Sequence, residues 1–126
     1  EAAAERAVAA GVALRLEVVT LPFPAHSAAE LEFAFEARLR EIAASTPPEQ
    51  LKMACLDHIA SLPCALLPVG RLVAACRAAG FERVFVDGAH APGQVARLDV
   101  ATVGADYYAG NVHKWAFAPT ACAFLW

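Results

Sequence analysis

The run Arg83-Val84-Phe85-Val86-Asp87-Gly88-Ala89-His90 changes character in one step. Through Val86 it is mostly apolar, with branched and aromatic side chains, and too short for a helix, so it reads as a buried strand. From Asp87 onward, polar and small residues follow at once. Leu51 to Leu56 repeats the design: a nearly unbroken apolar run, of the kind covered on both faces in a parallel sheet, then Asp57-His58-Ile59-Ala60-Ser61. In open α/β sheets ligands bind beyond the carboxyl ends of the strands, which makes both polar tails candidate site residues.

On the N-terminal side, Glu1 to Ala10 is alanine-rich and reads as a helix that Gly11 stops. Val12 to Thr20 alternates apolar and polar residues, which predicts a strand, and Leu21-Pro22-Phe23-Pro24 ends it stiffly. Ser27 and Glu30 have the spacing of a capping box, opening a helix whose Leu31, Phe33, Phe35, Leu39 and Ile42 form its apolar face. Ser45-Thr46-Pro47-Pro48 closes that helix. Pro68 fits the first turn of a further helix that runs through Leu72, Val73, Cys76 and Ala79 to Gly80. On the C-terminal side, Leu98 to Val103 predicts a short helix, Tyr107-Tyr108-Ala109 a strand, and Cys122 to Trp126 a last strand. Strands alternating with helices are the pattern of an α/β fold with a mostly parallel sheet and helices on both faces.

A chain of 126 residues is one domain at most. The net charge of -3, with no run of lysine or arginine, argues against a nucleic-acid or anionic-membrane partner and favours small molecules. No apolar stretch approaches the roughly 20 residues of a membrane span. Four cysteines, Cys55, Cys64, Cys76 and Cys122, stand well apart without zinc-ligand spacing. Three of them lie in apolar runs, where cysteine is usually a small buried hydrophobe, so a reducing, cytoplasmic setting is expected. With no initiator Met and a first helix that begins part-way, the chain is expected to start within a longer protein.

Lys114 is one of only two lysines, the other being Lys52. Its neighbours Tyr107, Tyr108, Val112, Trp115, Ala116 and Phe117 suggest a partly desolvated amine, the kind that forms a Schiff base; a surface lysine beside a core tryptophan is the alternative. Asp87 and His90 follow one strand, and Asn111-x-His113-Lys114 follows another. Pyridoxal phosphate chemistry asks for these types: an amine to hold the cofactor, a carboxylate to keep the pyridine nitrogen protonated, and donors for the phosphate. Two other constellations are weaker. Asp87, His90 and His113 lack a further metal ligand, and Asp57, His58 and Ser61 would make a triad only if the fold assembled them, with no GxSxG elbow in the chain. His58 reads equally as a hydrogen-bonded structural histidine. Trp115 and Trp126 read as core or interface residues.

Val86-Asp87-Gly88-Ala89-His90-Ala91-Pro92-Gly93, Leu98-Asp99-Val100, Gly104-Ala105-Asp106-Tyr107-Tyr108, Gly110-Asn111, His113-Lys114-Trp115, Ala118-Pro119 and Phe124-Leu125-Trp126 resemble the class V aminotransferase family of fold-type I pyridoxal-phosphate enzymes. The wording is most similar to the isopenicillin N epimerase-like branch. Residues 51 to 79 share the likeness, which fades toward the N-terminus. The resemblance implies that Lys114 is the Schiff-base lysine, Asp87 the pyridinium partner and His90 the residue near the ring oxygen. Asn111 and His113 would reach the phosphate. It implies residues 1–126 are the central part of a large cofactor-binding domain, without its N-terminal part or the C-terminal small domain. It also implies an amino-acid substrate, with epimerase, aminotransferase or desulfurase/lyase chemistry, and a homodimer. A degenerate relative serving as a scaffold or interaction domain is the alternative. Thr120-Ala121 stand where the family has Lys/Arg-Gly, so if that glycine serves a positive-φ turn, Ala121 is strained. Leu62-Pro63-Cys64 replaces a more polar family segment.

Overall fold

The computed structural model describes residues 9–11 and 14–126. The first expected helix therefore falls almost wholly outside the described residues. Helix α1 (Ala28–Ser45) leads into β1 (Met53–Asp57), the hairpin β2 (Ile59–Ser61) and β3 (Cys64–Leu66), and helix α2 (Val69–Ala78). Then come β4 (Arg83–Asp87), the short helix α3 (Val100–Val103), β5 (Tyr107–Asn111) and β6 (Ala123–Leu125).

The helix starts and stops have local causes. Ser27 Oγ accepts from Glu30 N at 3.3 Å, as the capping box requires, but the Glu30 carboxylate reaches one residue further back, to His26 N at 2.9 Å. Leu31, Phe35, Leu39 and Ile42 form one buried stripe, while Phe33, expected on that face, is 72% exposed. At the other end the Thr46 hydroxyl donates to Ile42 O at 2.6 Å before Pro47-Pro48. Helix α2 ends in a Schellman arrangement: Gly80, at φ 80°, donates to Arg77 O, and Phe81 N donates to Cys76 O, both at 3.0 Å.

The main sheet has the order β1-β4-β5-β6. β1/β4 and β4/β5 are parallel, and β5/β6 is antiparallel. The mostly parallel α/β architecture is as expected, and the four strands of this sheet lie within two residues of their expected spans, whereas the hairpin of β2 and β3 was not expected. Residues 14–20, expected to be a strand, pair with none. Leu14, Leu16 and Val18 are exposed, and the segment is tied to α1 by polar side chains instead: Glu17 to Arg38 at 2.7 Å, and Arg15 to Ser45 O at 3.2 Å.

Among the described residues the helices cover one sheet face. Ala54, Leu56, Val84, Val86 and Tyr108 point into the core they share with Leu31, Phe35, Leu72, Val73 and Cys76. The other face carries Met53, Cys55, Asp57, Tyr107 and Leu125, all exposed, so β1 is not covered on both sides here. The same alternation corrects the cysteine expectation. Cys76, on α2, is fully buried and its thiol is pushed up to about 11, chiefly by burial. Cys55 lies on the open face, Cys122 in the turn before β6 and Cys64 on the hairpin, all exposed.

Candidate active site

The parallel strands β1 and β4 end together, with Asp57 and Asp87 as register partners, and Asp87 is paired in turn with Ala109 of β5. The polar tails therefore meet at one sheet edge. Asp87 Oδ1 accepts from Ala89 N at 2.9 Å, Gly88 N donates to Ala109 O at 2.7 Å, and Ala91 N donates to Gly88 O at 2.9 Å. This tight turn returns the chain to His90, whose Nε2 lies 3.1 Å from Lys114 Nζ. Asp57 reports on the same cluster: burial pushes its carboxyl above the ordinary range, Asp87 pushes it further, and His90 pulls it back. Asp57, Asp87, His90 and Lys114 thus converge, which places the Asp57 tail at the same edge as the Asp87 tail rather than in a triad.

Lys114 is exposed, contrary to the desolvated setting expected for it. The reason is the turn after β5. Its backbone closes on itself, with Ala116 N and Ala118 N both donating to Val112 O, and the aromatics project outward. Trp115 is 49% exposed, Trp126 51% and Phe117 fully exposed, so neither tryptophan is a core residue here. The near neighbour of Lys114 is an imidazole, not an aromatic cage.

Asn111 is the half-buried last residue of β5. His113 is held by its own loop: its Nδ1 contacts Cys122 O at 2.9 Å. A carbonyl only accepts, so Nδ1 carries the proton, and Nε2 can donate to an anion only when the ring holds a second proton.

His58 is buried and bonded to neither Asp57 nor Ser61, so the triad arrangement is not assembled. Its Nδ1 meets the Tyr108 hydroxyl at 2.7 Å. Burial lowers the imidazole's proton affinity, and burial followed by Asp87 pushes the Tyr108 phenol up to about 12. Among the described residues no three His, Cys, Asp or Glu side chains gather as a metal site. An open groove of about 440 Å³ touches His58, Leu67, Arg71, Arg97 and Asp99 but not Asp87, His90 or Lys114. The convergence of reactive side chains, not the groove, marks the site.

No family model matches the chain. It is 46% identical over 108 residues to the L-cysteine desulfhydrase of Arabidopsis thaliana, across 86% of this chain and 23% of that protein. It is 45% identical over 69 residues to the isopenicillin N epimerase of Streptomyces clavuligerus, across 55% of this chain and 17% of that protein. These relatives support a place in a class V aminotransferase-like family of pyridoxal-phosphate-dependent enzymes. It spans less than a quarter of the length of these relatives. Among solved structures, the cysteine desulfurase CsdA of Escherichia coli matches with a TM-score of 0.55 at 23% identity, over 70% of this chain and 21% of that one. The serine palmitoyltransferase of Sphingomonas wittichii matches with a TM-score of 0.53 at 20% identity, over 71% of this chain and 23% of that one. These structural likenesses show the shared fold, a mostly parallel sheet with helices.

Proposed function

We propose that this chain is the pyridoxal-phosphate-binding portion of a class V aminotransferase-like enzyme acting on an amino acid, and that residues 1–126 are part of its large domain. The observation that carries the proposal is the 3.1 Å approach of Lys114 Nζ to His90 Nε2, at the edge where Asp87 ends β4. The residues fit the cofactor: an amine, a carboxylate and an imidazole converge on one edge of the sheet. When bound, the cofactor supplies an electron sink for a carbanion formed on the substrate.

The chain's own residues have distinct tasks. Lys114 supplies the amine that holds the cofactor's aldehyde carbon. His90 Nε2 accepts the hydrogen bond from the lysine ammonium and can take its proton, which leaves the amine nucleophilic. The bond from Ala89 N orients Asp87, whose second oxygen is then available to the pyridine nitrogen. Asn111 donates to the phosphate, and His113 does so through Nε2 when doubly protonated.

The relatives that cover most of the chain are named for cysteine desulfhydration, and shorter matches are named for isopenicillin N epimerisation. Both begin at the α-carbon of an amino-acid unit. We therefore assign a small amino-acid substrate, with carbon–sulfur elimination ahead of epimerisation or transamination, and a homodimer for the full-length protein. A reducing compartment suits its free cysteines. No helix among the described residues is long and apolar enough to cross a membrane. A scaffold role is the second reading, favoured by the exposure of Lys114 and the open sheet face. The two part on one test. Full-length protein mixed with pyridoxal phosphate gains a visible absorbance band that Lys114→Ala abolishes; no band in the wild type supports the scaffold.

A further inference from the structure

We propose that His58 and Tyr108 form a positioning pair that sets the Asp87 carboxylate from beneath the sheet edge, an inference that rests on the cofactor reading of Asp87. Neither side chain hydrogen-bonds to Asp87, His90 or Lys114, but the backbone of His58 is bonded to that of Asp87. His58 N donates to Asp87 O at 2.8 Å, and His58 O accepts from Leu67 N at 3.0 Å. The imidazole is therefore fixed at both ends of its residue before its ring is considered. His58 is 7% exposed, and its ring meets the hydroxyl of a fully buried Tyr108 at 2.7 Å.

Tyr108 transmits the contact to the residue that follows Asp87. A Cβ placed on Gly88 would lie 2.2 Å from Cε1, Cζ and Oη of Tyr108, so the hydroxyl end of the ring occupies the space a side chain at position 88 would need. The ring stacks on Phe124, with centroids 6.3 Å apart and planes 7° from parallel. Phe124 in turn sits 2.4 Å from where a Cβ on Gly110 would be. His58, Tyr108 and Phe124 thus form a column whose tips press on the glycines adjoining Asp87 and Asn111. A shift of the tyrosine hydroxyl tilts the Gly88 turn, and with it the bond from Ala89 N that orients the Asp87 carboxylate.

Packing alone does not call for this chemistry. Phenylalanine at 108 would fill the same space without a buried hydroxyl, and leucine at 58 would avoid a buried imidazole; each polar group is tolerated only because the other satisfies it. Burial keeps both partners neutral, which matches a bond between an uncharged phenol and an uncharged imidazole. What the pair adds is a fixed height for the ring's hydroxyl end.

The test uses full-length protein loaded with pyridoxal phosphate. It reads cofactor affinity and the induced circular dichroism of the visible band, which follows cofactor orientation and does not require turnover. Tyr108→Phe removes only the hydroxyl, and His58→Leu removes its partner. Each is expected to weaken affinity by roughly threefold to tenfold, the worth of one net hydrogen bond, and to reduce the induced dichroism. The double variant is expected to lose no more than the worse single one. His58→Asn, whose amide can stand in for Nδ1, restores the signal. Val73→Ala, a core truncation on α2, serves as the control: it lowers the melting temperature without changing affinity or dichroism. Wild-type affinity and dichroism in Tyr108→Phe, or losses that match those of Val73→Ala, would reduce the pair to core packing and overturn the proposal. A wild-type protein without any band overturns the cofactor reading and the positioning role with it, whereas a normal wild-type band with unchanged variants overturns the positioning role alone.

Discussion

Asp57 and Asp87 stand side by side as register partners at the ends of two parallel strands, so the carboxylate assigned to the cofactor has a second carboxyl next to it. Adjacent strands lie about 4.8 Å apart, close enough for the two charges to interact through partly desolvated surroundings. The arrangement concentrates negative charge where a protonated pyridine nitrogen and the Lys114 ammonium need it.

That proximity has a cost in the absence of a bound cation. Burial and then Asp87 raise the Asp57 carboxyl above its ordinary 3.8, so the folded state holds its proton more tightly than the unfolded state does. A carboxyl shifted this way carries no penalty below the unfolded value, acquires one as pH rises through the window between the two values, and keeps it above. Asp57→Asn is therefore expected to raise the urea midpoint of cofactor-free protein at pH 7 and to leave it nearly unchanged at pH 3. An equal effect at both pH values would show that the gain has another source.

Asp106 works in the opposite sense. Its Oδ2 accepts from Val84 N and from Arg77 Nη2, both at 2.6 Å, which ties the C-terminal end of α2 to the starts of β4 and β5. The bond from Val84 N, followed by that from Arg77, lowers its carboxyl below the usual range. The stability it contributes is present above the unfolded value of 3.8 and is lost as pH falls through the folded one. Asp106→Asn is expected to lower the melting temperature at pH 7, and the gap from wild type should close in acid. A gap that persists unchanged at pH 2 would contradict the assignment.

Ala121 adopts φ 67° in the turn between Lys114 and β6, at the position where the resemblance implies a glycine. The strain expected from the sequence is therefore real: a left-handed conformation costs a non-glycine residue about 1–2 kcal/mol, partly offset by the greater chain entropy that glycine loses on folding. Ala121→Gly is expected to stabilise the protein by up to about 1 kcal/mol, measured by urea unfolding. Ala118→Gly in the same loop, at a residue without positive φ, should give no gain. Equal effects at the two positions would remove the backbone explanation.

Local signals in the chain proved legible and non-local ones did not. The caps at Ser27 and Gly80 and the strand 83–87 with its polar tail follow from neighbours within a few positions. The segment 14–20 has the alternation of a strand but no sheet edge beside it, and edges are set by residues far away in the chain. Cys55 sits in an apolar run, yet its side of β1 faces away from the helices. The exposure of Lys114 depends on how residues 112–118 close their own turn. The His58–Tyr108 bond joins positions 50 residues apart, which no local pattern encodes.

The central claim is that Lys114 is the amine that holds the cofactor, and it is tested most directly by trapping that bond. Full-length protein is incubated with pyridoxal phosphate, reduced with borohydride and digested, and the peptides are mapped by mass spectrometry. The account predicts a phosphopyridoxyl group on Lys114 at near-stoichiometric yield and none on Lys52. Labelling spread over both lysines, or its absence from Lys114, would contradict it.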